Sequence, residues 1–312
     1  MTLQGNAPSP PAGRQHEIRK GDQVAVVCEV GATLRRYAVG NRDVLDGFAE
    51  DESSSAGRGQ VLAPWPNRLD GGRYTFGGRE GHAALDEPEH GNAIHGLVRW
   101  LAWSTVSHGE DRVTLGCVVA PQPAYPWRLD VAVEFRLDDR GLAVTTRATS
   151  GSDVTCPFGI GFHPYLTLGE PAVDTAIMTL PAHRRLMSDG RGLPTGEEKV
   201  SGTPFDFTVP RPIGDARLDT AFTDLAAGAQ DGTRVELRSE QGSGVDLWVG
   251  PEFGYLMVYT GDTLDPVARR RRGVAVEPMT CPPNALRTGT DLITLDPGES
   301  WEGAWGIEPR GA

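Results

Sequence analysis

The chain has 312 residues, 38% of them hydrophobic, and a formal net charge of -12. That length can bury a large core, as two ordinary domains or as one big β-sandwich or barrel. The acidic balance argues against nucleic acid as a partner, and no apolar run approaches the roughly 18 residues of a membrane span.

In chain order, residues 1–21 are polar and rich in Pro and Gly, without the charged-then-apolar pattern of a secretory signal. They read as a disordered tail, and 22–312 as one folded domain. Short runs that alternate or nearly alternate follow at 23–29, 112–119, 129–136, 141–148, 234–238, 245–249 and 255–259. Period 2 with Val, Thr and aromatics predicts strands buried on one face. Turn signals separate them, among them Gly77-Gly78, Asp70-Gly71-Gly72 and Asp296-Pro297-Gly298. No long amphipathic helix is capped anywhere; 219–227 offers at most a short helical turn. With 40 Gly and 24 Pro spread along the chain, the reading is all-β: one large antiparallel β-sandwich. Cys28, Cys117, Cys156 and Cys281 form no CxxC pair and read as free, mostly buried thiols of a reducing, cytoplasmic setting.

The informative residues break the alternation, in four islands. In 61–73, VLAPWPNRLDGGR, prolines stiffen a loop that ends in Asn67 and Arg68, a pair suited to orienting hydroxyls. The structural alternative is a turn cap and a surface ion pair. In 92–103, NAIHGLVRWLAW, His95 precedes Gly96, and Trp100 and Trp103 offer faces for a sugar ring. A structural histidine over core tryptophans fits equally. In 158–168, FGIGFHPYLTL, His163 sits beside Pro164, which removes a ladder donor and so marks a strand end or edge. A core histidine satisfied by a carbonyl is the alternative. In 273–287, GVAVEPMTCPPNALR, Glu277 ends an apolar run; desolvation there raises a carboxyl towards the pKa of a general base. A buried ion pair with an Arg from another island is the alternative. No HExxH, GxSxG, P-loop or helix-opening GxGxxG is present, and the histidines lack local ligand spacing, so neither metal nor cofactor is expected.

PWPNRL, IHG, GFHPY and VEPMTCPPNA, in this order and closed by LDPGESWEGAWGI, make the chain resemble the aldose 1-epimerase (galactose mutarotase) family from about Val24 to Ile307. The resemblance implies a large antiparallel β-sandwich with a sugar cleft on one sheet, and cofactor-free exchange of the α and β anomers of a hexose. It assigns His163 as general acid and Glu277 as general base. His95, Asn67 and Arg68 hold the sugar, with Asp219 in Leu218-Asp219-Thr220-Ala221-Phe222; Asp224 is a rival for that place. Trp100 would stack on the ring. His95 is followed by Gly-Leu-Val-Arg-Trp instead of a Gly-rich stretch, which points to a bacterial mutarotase-like subgroup. The expected partner is a small sugar, with neither nucleic acid nor membrane, and the chain is expected as monomer or homodimer. Arg269, Arg270, Arg271 and Arg272 form either a solvated loop or a recognition element for a phosphorylated or sulfonated sugar. A non-catalytic carbohydrate-binding module and a glycoside hydrolase are the competing readings; the hydrolase needs two carboxylates flanking the bond.

Overall fold

Alternation builds the scaffold. In the computed structural model, which describes residues 10–169, 173–228 and 232–311, the strand Leu129–Leu137 buries Leu129, Val131, Val133, Phe135 and Leu137. The residues between them, such as Asp130 and Arg136, face outward. This strand belongs to a sheet of nine, ordered Ser104–His108, Arg112–Val119, Leu129–Leu137, Leu142–Ser150, Ser300–Arg310, Gly244–Val249, Thr233–Arg238, Ile177–Thr179 and Arg211–Pro212.

A second large sheet carries the functional islands. Its order is Pro194–Lys199, Ala182–Ser188, Asp219–Leu225, Tyr255–Tyr259, Val274–Met279, Gly161–Phe162 and Val61–Leu62, with Tyr165–Leu166 also paired to Val274–Met279. The two sheets share one core: Phe162 of the second meets Trp305 of the first at 5.1 Å between ring centroids and Phe253 at 6.3 Å. A four-stranded sheet of Gln15–Lys20, Gln23–Cys28, Thr33–Val39 and Arg42–Asp43 adds to the fold. Among the described residues all strand ladders are antiparallel, as the sandwich reading required, and helix is confined to Ala285–Thr288 and two 3-10 turns. Gly77 and Gly78, both at positive φ, close the hairpin of Arg73–Phe76 and Arg79–His82. The four cysteines are free, and all but the half-buried Cys117 are buried. No helix among the described residues is long and apolar enough to cross a membrane.

Two local expectations change. The tail is shorter than 1–21: Gln15–Lys20 is a strand on Gln23–Cys28, with His16 and Ile18 buried between outward Glu17 and Arg19. Its polar composition hides that period. Residues 1–9 lie outside the described residues. The stretch 219–227 contains no helical turn; Asp219–Leu225 is a strand paired to both Ala182–Ser188 and Tyr255–Tyr259. Two partner ladders outweigh the weak helical preference of so short a run. The strand end expected at Pro164 is present: the stretch 158–168 breaks at His163-Pro164 between Gly161–Phe162 and Tyr165–Leu166.

Candidate active site

Strand geometry explains why a carboxylate can stand in a wholly buried strand. Val274–Met279 is buried at every position because it is central in its sheet. Val274 and Val276 face the inter-sheet core. Ala275, Glu277 and Met279 therefore point to the other face, under the loops. The break at His163-Pro164 lies alongside. Pro164 has no N–H to give, but its carbonyl still accepts from the N–H of Val276 at 3.2 Å. The backbone of His163 turns to the other edge: its N–H donates to the Gln60 carbonyl at 3.2 Å, and its carbonyl accepts from Gly59 at 2.8 Å.

The two side chains meet on this outer face. Nε2 of His163 is 3.2 Å from Oε1 of Glu277, and both side chains are almost fully buried. Nδ1 of His163 and Oε2 of Glu277 have no protein partner, so each group keeps one polar atom for something else. His163 stacks on Tyr165 at 5.0 Å and meets the His95 ring edge-on at 5.4 Å. Arg58 lies 4.5 Å over the Tyr165 ring and is neutralised by Asp46 at 3.2 Å. Gly57, at φ +72°, passes so close that a Cβ there would sit 2.4 Å from Cδ2 of His163. Only glycine combines that approach with that backbone.

His95 is also buried and holds a positive φ of 65°. Its N–H donates to the Asn67 carbonyl at 2.9 Å, and its Nδ1 accepts from the Asn67 N–H at 3.2 Å. That bond leaves the ring proton on Nε2, making neutral His95 a donor from its other edge. Asn67 thus serves His95 through its backbone, while its side-chain oxygen accepts from the N–H of Arg68 at 2.9 Å. Arg68 forks onto Glu87, Nε to Oε2 at 3.0 Å and Nη2 to Oε1 at 2.9 Å, and lies 3.8 Å from Asp219. It is a buried ion pair, not the surface pair of the structural alternative. Glu87 also accepts from Asn92 at 2.9 Å and faces His90 at 3.2 Å. Burial would raise the Glu87 carboxyl, but hydrogen bonds from Arg68 and Asn92 outweigh it and hold it below the usual range.

Asn67, Arg68, His95, Trp100, His163, Asp219 and Glu277 all line one cavity of about 540 Å³, within the ~300–1,000 Å³ span of small-molecule sites. Trp100 is 54% exposed at its mouth, whereas Trp103 is buried core. Asp224 is exposed and outside the lining, whereas Asp219 is part of it. No motif pointed to Gly57 or Arg58 as neighbours of His163, nor to Glu87 as the anchor of Arg68. The only available signal was the density of polar residues just before His95.

Electrostatics separate the two central groups. Burial, then the charge of Arg58, pushes His163 down to about 3. Burial, then the charge of Asp219, pushes Glu277 well above the usual carboxylate range, with Arg68 opposing. Burial and the neighbouring His163 lower His95 well below its ordinary value. The opposite shifts favour the form of the His163–Glu277 pair in which its one proton rests on the carboxyl and the imidazole is neutral. Moving it to the imidazole makes the ion pair without any proton entering or leaving. Such a pair can take a proton from one atom of a ligand while giving one to another.

Comparison with known proteins bears on the family and the fold. The family model described as Aldose 1-epimerase matches residues 14–307. The chain is 32% identical over 296 residues to the uncharacterized protein YihR of Escherichia coli (strain K12), covering 92% of this chain and 91% of that one. It is 30% identical to galactose mutarotase of Mus musculus over 232 residues, covering 68% of this chain and 66% of that protein. Among solved structures, the aldose epimerase homologue from C. elegans superposes with a TM-score of 0.83 at 20% identity, over 96% of this chain and 99% of that chain. A galactose 1-epimerase from Lactobacillus acidophilus NCFM gives 0.78 at 22% identity, over 94% and 93%.

Proposed function

The chain belongs to the aldose 1-epimerase family, and on that premise we propose that it interconverts the α and β anomers of a hexose by acid–base ring opening. The observation that carries this reading is the buried His163–Glu277 contact of 3.2 Å, on the wall of a cavity also lined by Arg68, His95 and Trp100.

Ring opening needs a proton removed from O1 and a proton supplied to the ring oxygen. Glu277, as carboxylate, takes the first; His163, as imidazolium, supplies the second. The pair is then left in its neutral tautomer with the open-chain aldehyde bound. Rotation about C1–C2 presents the other face of the carbonyl. Closure returns a proton from Glu277 to O1 while His163 takes one back from the closing hydroxyl, so the cycle balances. Each such group contributes roughly 10²–10⁴-fold in rate. His95, with its proton on Nε2, donates to a sugar oxygen beside His163. Arg68 and Asp219 bind more distant hydroxyls, and Trp100 covers the apolar face of the ring. A non-catalytic module would have no use for a buried, mutually titrating pair, whose desolvation costs free energy.

The substrate we propose is neutral. Of the charged side chains lining the cavity, Arg68 and Arg99 are each paired to a carboxylate, Glu87 and Asp86, Asp265 reaches Arg270, and Glu89 and Asp219 add further acid. An anionic sugar would meet repulsion there. The test is polarimetry or NMR exchange on freshly dissolved aldoses beside their 6-phosphates. Fast exchange of at least one neutral hexose, and slower exchange of its phosphate, is expected; equal or faster turnover of the phosphate removes the charge argument.

A further inference from the structure

The arginine run does not reach the sugar cavity. Arg271, at φ +56°, turns its guanidinium to Asp174 and Asp262. Arg269, Arg270 and Arg272 open instead onto a second cavity of about 680 Å³, which shares no lining residue with the first. Arg35 and Arg36, from the strand Thr33–Val39, join them in its lining. We propose that this second cavity binds a small polyanion bearing phosphate groups.

Charge argues first. Five guanidiniums face two carboxylates, Asp43 and Asp46, leaving a surplus of three positive charges on a chain whose net charge is -12. An isolated positive concavity on an acidic protein attracts anions. The carboxylates are also over-committed. Asp46 is shared by Arg58 at 3.2 Å, Arg269 at 3.5 Å and Arg272 at 3.8 Å. Glu52 and Asp265 reach Arg269 and Arg270, but both lie outside the lining and are half or more exposed. Donors remain open: Nε of Arg35 is buried without an acceptor, and the half-exposed Arg272 approaches Asp46 only beyond hydrogen-bond length. Guanidinium forks match phosphate oxygens in pairs. A surplus of three calls for a multiply charged ligand, such as a diphosphate, in place of one carboxylate.

The test is calorimetric titration of the full chain with inorganic pyrophosphate in low-salt buffer. Arg36→Glu and Arg272→Glu are the variants; both residues are about half exposed, and neither touches the sugar cavity. Arg147→Glu, on the nine-stranded sheet, controls for net charge. Saturable one-to-one binding is expected, weakened about tenfold or more by each cavity variant and little changed by Arg147→Glu. Mutarotation by the cavity variants should stay normal, which keeps this result separate from the proposed activity. Absence of saturable heat, or equal weakening by Arg147→Glu, overturns the proposal.

Discussion

Replacing His163 by Asn should remove a pH dependence of stability, not only an activity. In the folded chain burial and Arg58 hold the imidazole near a pKa of about 3, against an ordinary value of 6.5 in the unfolded chain. A group whose folded pKa is depressed contributes stability that is present above the unfolded value. That stability is lost as pH falls towards the folded value, because the unfolded state binds the proton first. Between pH 6.5 and pH 4, at about 1.4 kcal/mol per pH unit, the loss from this residue is about 3 kcal/mol. The constant cost of truncating the ring cancels when each protein is compared with itself. Urea unfolding at pH 7 and pH 4 should therefore show wild type losing about 3 kcal/mol more than His163→Asn between the two conditions. Equal losses would mean that the imidazole is solvated or charged in the folded chain, and the one-proton pair would be refuted.

Other outcomes follow from the same geometry. Gly57→Ala places a Cβ 2.4 Å from the His163 ring at a positive φ; stability should fall by about 1 kcal/mol and turnover by roughly 10²-fold, as for a catalytic group displaced by an ångström, and unchanged polarimetric rates would show that the ring is not held there. The pH–rate profile should lack the imidazole limb centred at 6.5, since burial lowers His163, and should decline as Glu277, raised by burial, loses the pair's only proton and no acid remains for the ring oxygen; a limb that disappears in His163→Asn but is centred at 6.5 in wild type would show a solvated imidazole. For a hexose that exchanges, the 6-phosphate should turn over more slowly, read by NMR exchange, because the cavity's arginines are already paired to Glu87 and Asp86.

What could be read from the sequence was what local chemistry decides. Leu129–Leu137 announces itself because one face is buried and the other wet, and Glu277 stands out because a carboxylate is rare in an apolar strand. Pro164 marks the strand break because it lacks a donor, whatever lies around it. What stayed hidden depends on the fold. Gln15–Lys20 looks like tail until Gln23–Cys28 pairs with it. Asp219–Leu225 is short enough that its neighbours decide its form. Gly57 and Arg58 matter only because their loop crosses the His163–Tyr165 stack, more than 100 positions along the chain. The arginine run could be seen from its letters, but its direction could not: one residue at positive φ sends Arg271 one way and its neighbours another.

The most direct measurement is the rate at which Glu277→Gln and His163→Asn equilibrate a freshly dissolved hexose that the wild-type chain turns over, followed by polarimetry on folded protein. Loss of a proton acceptor or donor at the ring should lower the rate by at least about 10²-fold in each variant. Either variant working at close to the wild-type rate would contradict anomer exchange by this imidazole and this carboxylate.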